Sequence, residues 1–129
     1  VATPTDRRYT KEHEWARVEG DIAIVGITDH AQDALGDIVF LELPEVGRQL
    51  AQNEPLGVVE SVKAVSDIYS PVSGEVIEVN AAAVARPETI NQDPYEAGWL
   101  IKVRMADPSE IDGLMTADEY DALTAGSGH

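Results

Sequence analysis

From Gly57 to Val76 the chain reads as two β-rich arms around a short centre: Gly57-Val-Val-Glu-Ser, then Val62-Lys63-Ala64, then Val65-Ser-Asp-Ile-Tyr. Arms rich in β-branched residues around so short a centre have to fold back on each other, so the stretch predicts a hairpin with Lys63 at its tip. Lys63 is the only Lys or Arg between Arg48 and Arg86. Most exposed lysines are solvated and take no part in chemistry. Isolation alone therefore assigns this one no role.

The rest of the chain must pack against that hairpin. Val1 to Thr10 is polar and predicts a frayed start apart from Tyr9. Trp15 to Glu19 and Ile22 to Ile27 read as strands joined by a Gly20-Asp21 turn. Thr28 to Gly36 reads as a short helix, with Asp29 and Gln32 spaced like a capping box and Gly36 as its stop. The strand Ile38 to Leu43 starts apolar on both faces, as one inside a sandwich would. Glu75 to Asn80 gives a further strand. Ala81 to Ala97 is a connection too long to be idle, so it should cover or line something. Ile101, Val103 and Met105 alternate with Lys102 and Arg104, which predicts a strand with one wet face.

The end is helical by its signals. Asp107-Pro108-Ser109-Glu110 offers an N-cap, a first-turn proline and a box glutamate. Thr116 to Glu119 is a second capping box, with Met115 and Tyr120 as a staple and Gly126 as terminator. The sum is about seven short strands and three short helices, a mostly β sandwich or barrel-like domain with a helical cap.

At 129 residues, the whole of 1–129 is expected to form a single domain with its own core. The net charge of −15 works against phosphate backbones, so no nucleic-acid partner is expected. Steering toward basic partners or plain solubility would both explain the acidity. No cysteine is present, which removes disulfides, thiolate metal sites and cysteine nucleophiles. No apolar run approaches the roughly 18 residues of a membrane span, so no membrane partner is expected. Val1 to Arg8 lacks the apolar stretch of a secretory signal, and an opening valine is compatible with a trimmed start.

Catalytic signatures are missing from the sequence. His13, His30 and His129 show no metal-ligand spacing, so no metal is expected. There is no phosphate-binding glycine loop and no nucleophile elbow. Glu12 and Glu14 flank His13, a charged trio that usually stays solvated. The chain does not read as a self-sufficient catalyst.

The hairpin centre differs. The run Glu60-Ser61-Val62-Lys63-Ala64-Val65-Ser66-Asp67-Ile68-Tyr69-Ser70-Pro71-Val72-Ser73-Gly74-Glu75-Val76 resembles the lipoyl-attachment segment of the glycine cleavage system H protein family. Gly26 to Gln32, Leu35 to Val39 and Leu43 to Gly47 are similar to its second block. Asn91, Pro94-Tyr95 and Gly98-Trp99-Leu100 match a third, and Glu119-Tyr120 falls in the expected C-terminal helix. The similarity runs in register from Tyr9 to Leu123. Val65 and Ala97 depart from it, standing where smaller or more polar residues are common.

The resemblance implies a lipoyl/biotinyl-like β-sandwich (a barrel-sandwich hybrid) with short helices, two of them C-terminal. It implies a carrier without catalytic residues, with lipoic acid joined by an amide to Lys63. Its partners would be glycine decarboxylase (P protein), a folate-dependent aminomethyltransferase (T protein), dihydrolipoyl dehydrogenase (L protein), and a lipoate ligase or lipoyl transferase. Glu14 and Asp67 match acidic positions of a cleft that receives the loaded arm. The compartment would be the bacterial cytoplasm, or the mitochondrial matrix in a eukaryote.

These implications make physical sense. An attachment amine must sit on an exposed turn of a rigid scaffold so that several enzymes can reach it. Tethering makes each delivery effectively intramolecular. Carboxylates would hold the cationic amine of a loaded arm. Three other readings compete: a lipoyl or biotinyl domain of a larger acyltransferase or carboxylase, an H-like lipoyl relay, and an acidic sandwich that only binds partners. Biotin carriers usually place methionines beside the lysine, where this chain has Val62 and Ala64.

Overall fold

The computed structural model describes residues 3–127. Strands β1 (Arg8–Tyr9), β2 (Glu14–Glu19) and β3 (Ile22–Ile27) form an antiparallel meander. Trp15 on β2 lies opposite Gly26 on β3. Its indole is fully buried and donates to the Ile27 and Pro94 carbonyls at 3.0 and 3.1 Å. A Cβ on Gly26 would come within 2.5 Å of that ring, so glycine is what lets the largest side chain of the sheet lie flat on the neighbouring strand.

Helix α1 (Asp29–Leu35) follows. Thr28, one residue earlier than expected, is its N-cap, accepting the Ala31 N–H at 3.2 Å. The Asp29–Gln32 pair closes side chain to side chain instead. Gly36 ends the helix with φ +80°, a backbone region that costs most other residues energy.

The remaining strands are β4 (Ile38–Glu42), β5 (Gln49–Leu50), β6 (Pro55–Ser61), β7 (Val65–Tyr69), β8 (Gly74–Val79) and β9 (Ile101–Met105). They make two sheets, ordered β1-β2-β3-β9-β8-β5 and β4-β6-β7. Between them lies one apolar core, in which Val25, Leu41, Val59, Ile68, Val76 and Val103 are all but inaccessible. Full burial of such a side chain is worth about 1.5–3 kcal/mol. A second cluster joins Tyr9, Trp15, Ile24, Tyr95, Ala117 and Tyr120 on the outer side of the larger sheet.

Several expectations need correction. The N-terminal segment is not frayed over its described part: Arg7, Tyr9 and Thr10 are buried. Tyr9 pairs with Met115 through two backbone bonds of 2.8 and 2.9 Å. On β4 only Ile38 and Leu41 face the core, while Val39 and Phe40 are exposed. The cause is a register shift, in which Ile38 pairs with Ser61 and Phe40 with Glu60, leaving Val39 as an extra residue.

The connection 81–97 contains α2 (Ala81–Ala85) and α3 (Glu88–Gln92), which send Ala83 and Ile90 into the core. It does cover something, but as two helical pieces. Asn91 accepts the Ile38 N–H and donates to the Gly36 carbonyl, each at 2.9 Å.

At the C-terminus, Pro108–Gly113 is a 3₁₀ helix capped by Asp107. Glu110 does not close the expected box. Its carboxylate takes the Ser73 N–H and hydroxyl, both at 2.7 Å, two strong donors that outcompete the helix's own N-cap. Helix α4 (Ala117–Ser127) begins with the expected reciprocal bonds between Thr116 and Glu119. It runs on past Gly126, since glycine permits a left-handed stop without enforcing one.

Candidate functional site

The β6–β7 hairpin closes on a loop of two residues, Val62 and Lys63. Ser61 N–H donates to the Ala64 carbonyl at 2.8 Å. Such loops usually need positive φ and therefore Gly or Asn, but neither Val62 nor Lys63 has it. Ser61 supplies the missing closure: its hydroxyl oxygen accepts the N–H groups of Lys63 and Ala64 at 3.3 and 3.1 Å. Val62 N–H is held by the Asp37 carbonyl at 3.1 Å. Asp37 lies between Gly36 and Ile38, the two residues gripped by Asn91. The tip is thus braced through β4 to α3.

Lys63 is exposed. Its aliphatic stem lies over Gly36, where a Cβ would sit 3.3 Å from Cε and 3.8 Å from Nζ. Val62 and Val65 on either side are 70 % and 67 % exposed, which is uncommon for valine and leaves the lysine on an apolar tip.

Glu14 is placed very differently. It opens β2 opposite Ile27 and is only 3 % exposed. One carboxylate oxygen accepts the Thr10 hydroxyl at 2.6 Å, and the other accepts the Tyr69 N–H at 3.2 Å. Burial pushes its pKa up from 4.5 to about 7, against the lowering by the Thr10 and Tyr69 hydrogen bonds. Thr10 also lines a cleft of about 340 Å³ with Glu12, Asn53 and Met115.

Asp67 is exposed on β7, in register with Val58 and Glu42 across the small sheet. It lines a shallow groove with Leu43, Pro44 and Arg48. No hydrogen bond or ion pair joins Lys63, Glu14 and Asp67 to one another. What connects the two acids is β7 itself, since Glu14 bonds the strand two residues beyond Asp67.

The strand's parity explains that bond. Ala64 and Ser70 direct their backbone groups toward β6 and its extension, as the Ser61–Ala64 and Ser70–Glu54 bonds of 2.8 Å show. Residues 65, 67 and 69 therefore turn theirs to the open edge of the sheet. Glu14 meets the last of them.

Sequence reasoning missed a further arrangement. His13 and His30, which show no metal-ligand spacing in the sequence, have ring centroids 4.5 Å apart. His13 Nδ1 is 2.7 Å from the Tyr120 hydroxyl, which is 2.7 Å from the Thr28 hydroxyl. Burial and the neighbouring His30 lower the His13 pKa. Among the described residues no three His, Cys, Asp or Glu side chains group to hold a metal ion; His129 lies outside them.

Comparison with known proteins gives one consistent result. The family model described as glycine cleavage H-protein matches residues 7–126. A glycine cleavage system H protein from Symbiobacterium thermophilum is 62 % identical over 121 residues, 94 % of each chain. One from Alcanivorax borkumensis is 59 % identical over 119 residues, 92 % of this chain and 93 % of the other. The crystal structure of a glycine cleavage system H protein from Mycobacterium marinum superposes with a TM-score of 0.88. It is 47 % identical, over 95 % of this chain and 98 % of that one.

Proposed function

The chain belongs to the glycine cleavage H-protein family, and on that premise we propose that Lys63 is the residue through which it carries its lipoyl group. The family is the lipoyl carrier of the glycine cleavage system, and the two-sheet sandwich is its lipoyl-like fold. The observation that carries the assignment is the tip itself. Lys63 is an exposed amine on a two-residue loop whose backbone is braced by Ser61, Asp37 and Asn91. The absence of a Cβ at Gly36 leaves room for the stem beside it.

When attached, the lipoyl group supplies the dithiol chemistry on which the aminomethyl carbon of glycine travels. The protein supplies position. Lys63 contributes its amine once, to the amide, and the chain acts as a non-catalytic carrier in one domain, 1–129. Glu14, at the start of β2, accepts the Tyr69 N–H of β7, and Asp67 stands two residues earlier on that strand. We assign them to holding the cationic amine of the loaded arm. With a pKa near 7, Glu14 is a stronger counter-charge above that pH than below it. Its partners are the P, T and L proteins and the enzyme that lipoylates Lys63. The relatives named above are bacterial, which supports the cytoplasm as the site of action.

Intact-mass measurement tests the attachment. Expression with lipoate and a lipoate ligase should add one lipoyl group to the wild type and none to Lys63→Arg. A wild type that stays unmodified under those conditions refutes the assignment. Glycine decarboxylation reconstituted with the other three components should be lost in Lys63→Ala.

A further inference from the structure

The hairpin that carries Lys63 ends in an unpaired strand edge. In the order β4-β6-β7, β7 is outermost. Its residues 65, 67 and 69 direct their backbone groups away from β6. Tyr69 N–H is already occupied by Glu14. Asp67 C=O meets only the Ser66 hydroxyl, at 3.4 Å. The N–H and C=O of Val65 and the N–H of Asp67 take no bond from β6 at this parity. Open edges of this kind template pairing with another chain unless something blunts them. Val65, Ser66 and Asp67 are all exposed, and nothing among the described residues covers this stretch.

We propose that the β7 edge at Val65 and Asp67 is the docking strand for the enzyme that acylates Lys63, which adds an extended segment of its own to the sheet. The inference rests on the assignment of Lys63 as the attachment site. Acylation differs from every later step in what has to be held. The arm does not yet exist, so Nζ itself must reach the activated acyl carbonyl. There the N–C bond forms, the bond from the acyl carbon to its leaving group (the phosphate of an acyl-adenylate) breaks, and the amine gives up a proton. A partner can fix Nζ by fixing the tip's backbone, and β7, which starts two residues after Lys63, offers free backbone groups in strand geometry beside it.

The edge also defines its occupant. Glu14 closes the Tyr69 position, so the added segment is short and stops there. Across the outer face of the sheet, Val65 and Asp67 stand in register with Phe40, Glu60 and Glu42. No Lys or Arg stands in those paired positions. The pairing segment therefore presents apolar side chains toward Phe40 and Val65 and basic ones toward the acids.

Proline at either position tests the bond directly. It deletes an outward N–H and leaves the β6–β7 ladder its own donors, the one setting in which an edge strand accepts proline. With lipoate ligase and its acyl-adenylate, Val65→Pro should be acylated about tenfold less efficiently than Val65→Ala, the loss expected of one strong backbone bond. Asp67→Pro against Asp67→Ala should behave the same way. Equal efficiency within each pair, in variants with wild-type circular dichroism, overturns the proposal. Should the proline variants fail to fold, amide exchange on the wild-type apo-protein decides. Val65 and Asp67 should gain protection when ligase holding a non-reactive acyl-adenylate analogue is added, and unchanged exchange overturns the edge. A wild type that is not acylated at all fails the Lys63 assignment instead, so the two failures are distinguishable.

Discussion

At Glu14 the fold keeps a carboxylate almost wholly out of water, with one hydroxyl and one backbone N–H as its donors. Folding raises its pKa from 4.5 to about 7. The folded chain therefore binds this proton more tightly than the unfolded chain does. The stabilisation is complete below about pH 4.5 and is lost as the pH rises through about 7, at most about 3 kcal/mol in all. Glu14→Gln keeps the shape and an acceptor but never ionises. Its melting temperature relative to wild type should accordingly climb between about pH 5 and pH 8. A difference that is flat with pH would show that Glu14 stays ionised throughout. The sequence could not announce this environment. Glu14 sits in an apparently solvated Glu-His-Glu trio, and one of its two donors, the Tyr69 N–H, comes from 55 positions away.

The hairpin shows at the scale of an element what is and is not legible. The β-branched arms predict the strands, and both formed where expected. The loop chemistry was hidden, because Val-Lys is not a residue pair associated with a two-residue turn. Its closure depends on the Ser61 hydroxyl accepting two N–H groups. Ser61→Ala removes that acceptor at an exposed site where water can substitute, so the stability cost should be only about 0.5–1 kcal/mol. The local effect should be larger than the global one. Amide exchange at Lys63 and Ala64 should quicken while the melting temperature falls by no more than about 4 °C. Unchanged exchange at both amides would mean the β6–β7 ladder and Asp37 hold the tip without the serine. The bulge at Val39 was hidden for a similar reason. An apolar run is the same string whether one face or both are covered, and only the pairing of Ile38 with Ser61 and Phe40 with Glu60 reveals the exposed side.

Across the whole molecule, the two-sheet core follows from alternation, but the aromatic cluster outside the larger sheet does not. That cluster is assembled from the N-terminal segment, β2, the residues before β9 and α4, pieces far apart in the chain that meet only after the sheet exists. Arg7, packed against two of its rings, is its least foreseeable neighbour, a residue from a stretch that reads as a frayed start. Its side chain is 2 % exposed. The guanidinium lies 4.6 Å from the Trp15 ring and 5.6 Å from that of Tyr95. It donates to the Tyr95 carbonyl at 2.7 Å and to Asp6 at 2.8 Å. The same Tyr95 accepts the Asp29 N–H through its hydroxyl oxygen, so Arg7 braces the start of α1 as well as the N-terminal segment. Arg7→Ala leaves the Tyr95 carbonyl without its donor and two ring faces uncovered. Such a loss costs about 2–3 kcal/mol, or roughly 10 °C in melting temperature for a chain of this size. Arg7→Lys keeps the charge but cannot lie flat between two rings while bonding a carbonyl and a carboxylate, and should recover less than half of that. Because the cluster lies apart from the hairpin tip, lipoylation of Lys63 in Arg7→Ala should proceed at the wild-type rate below its melting temperature. A large fall in that rate would mean instead that the aromatic side of the molecule sets the geometry of the attachment turn.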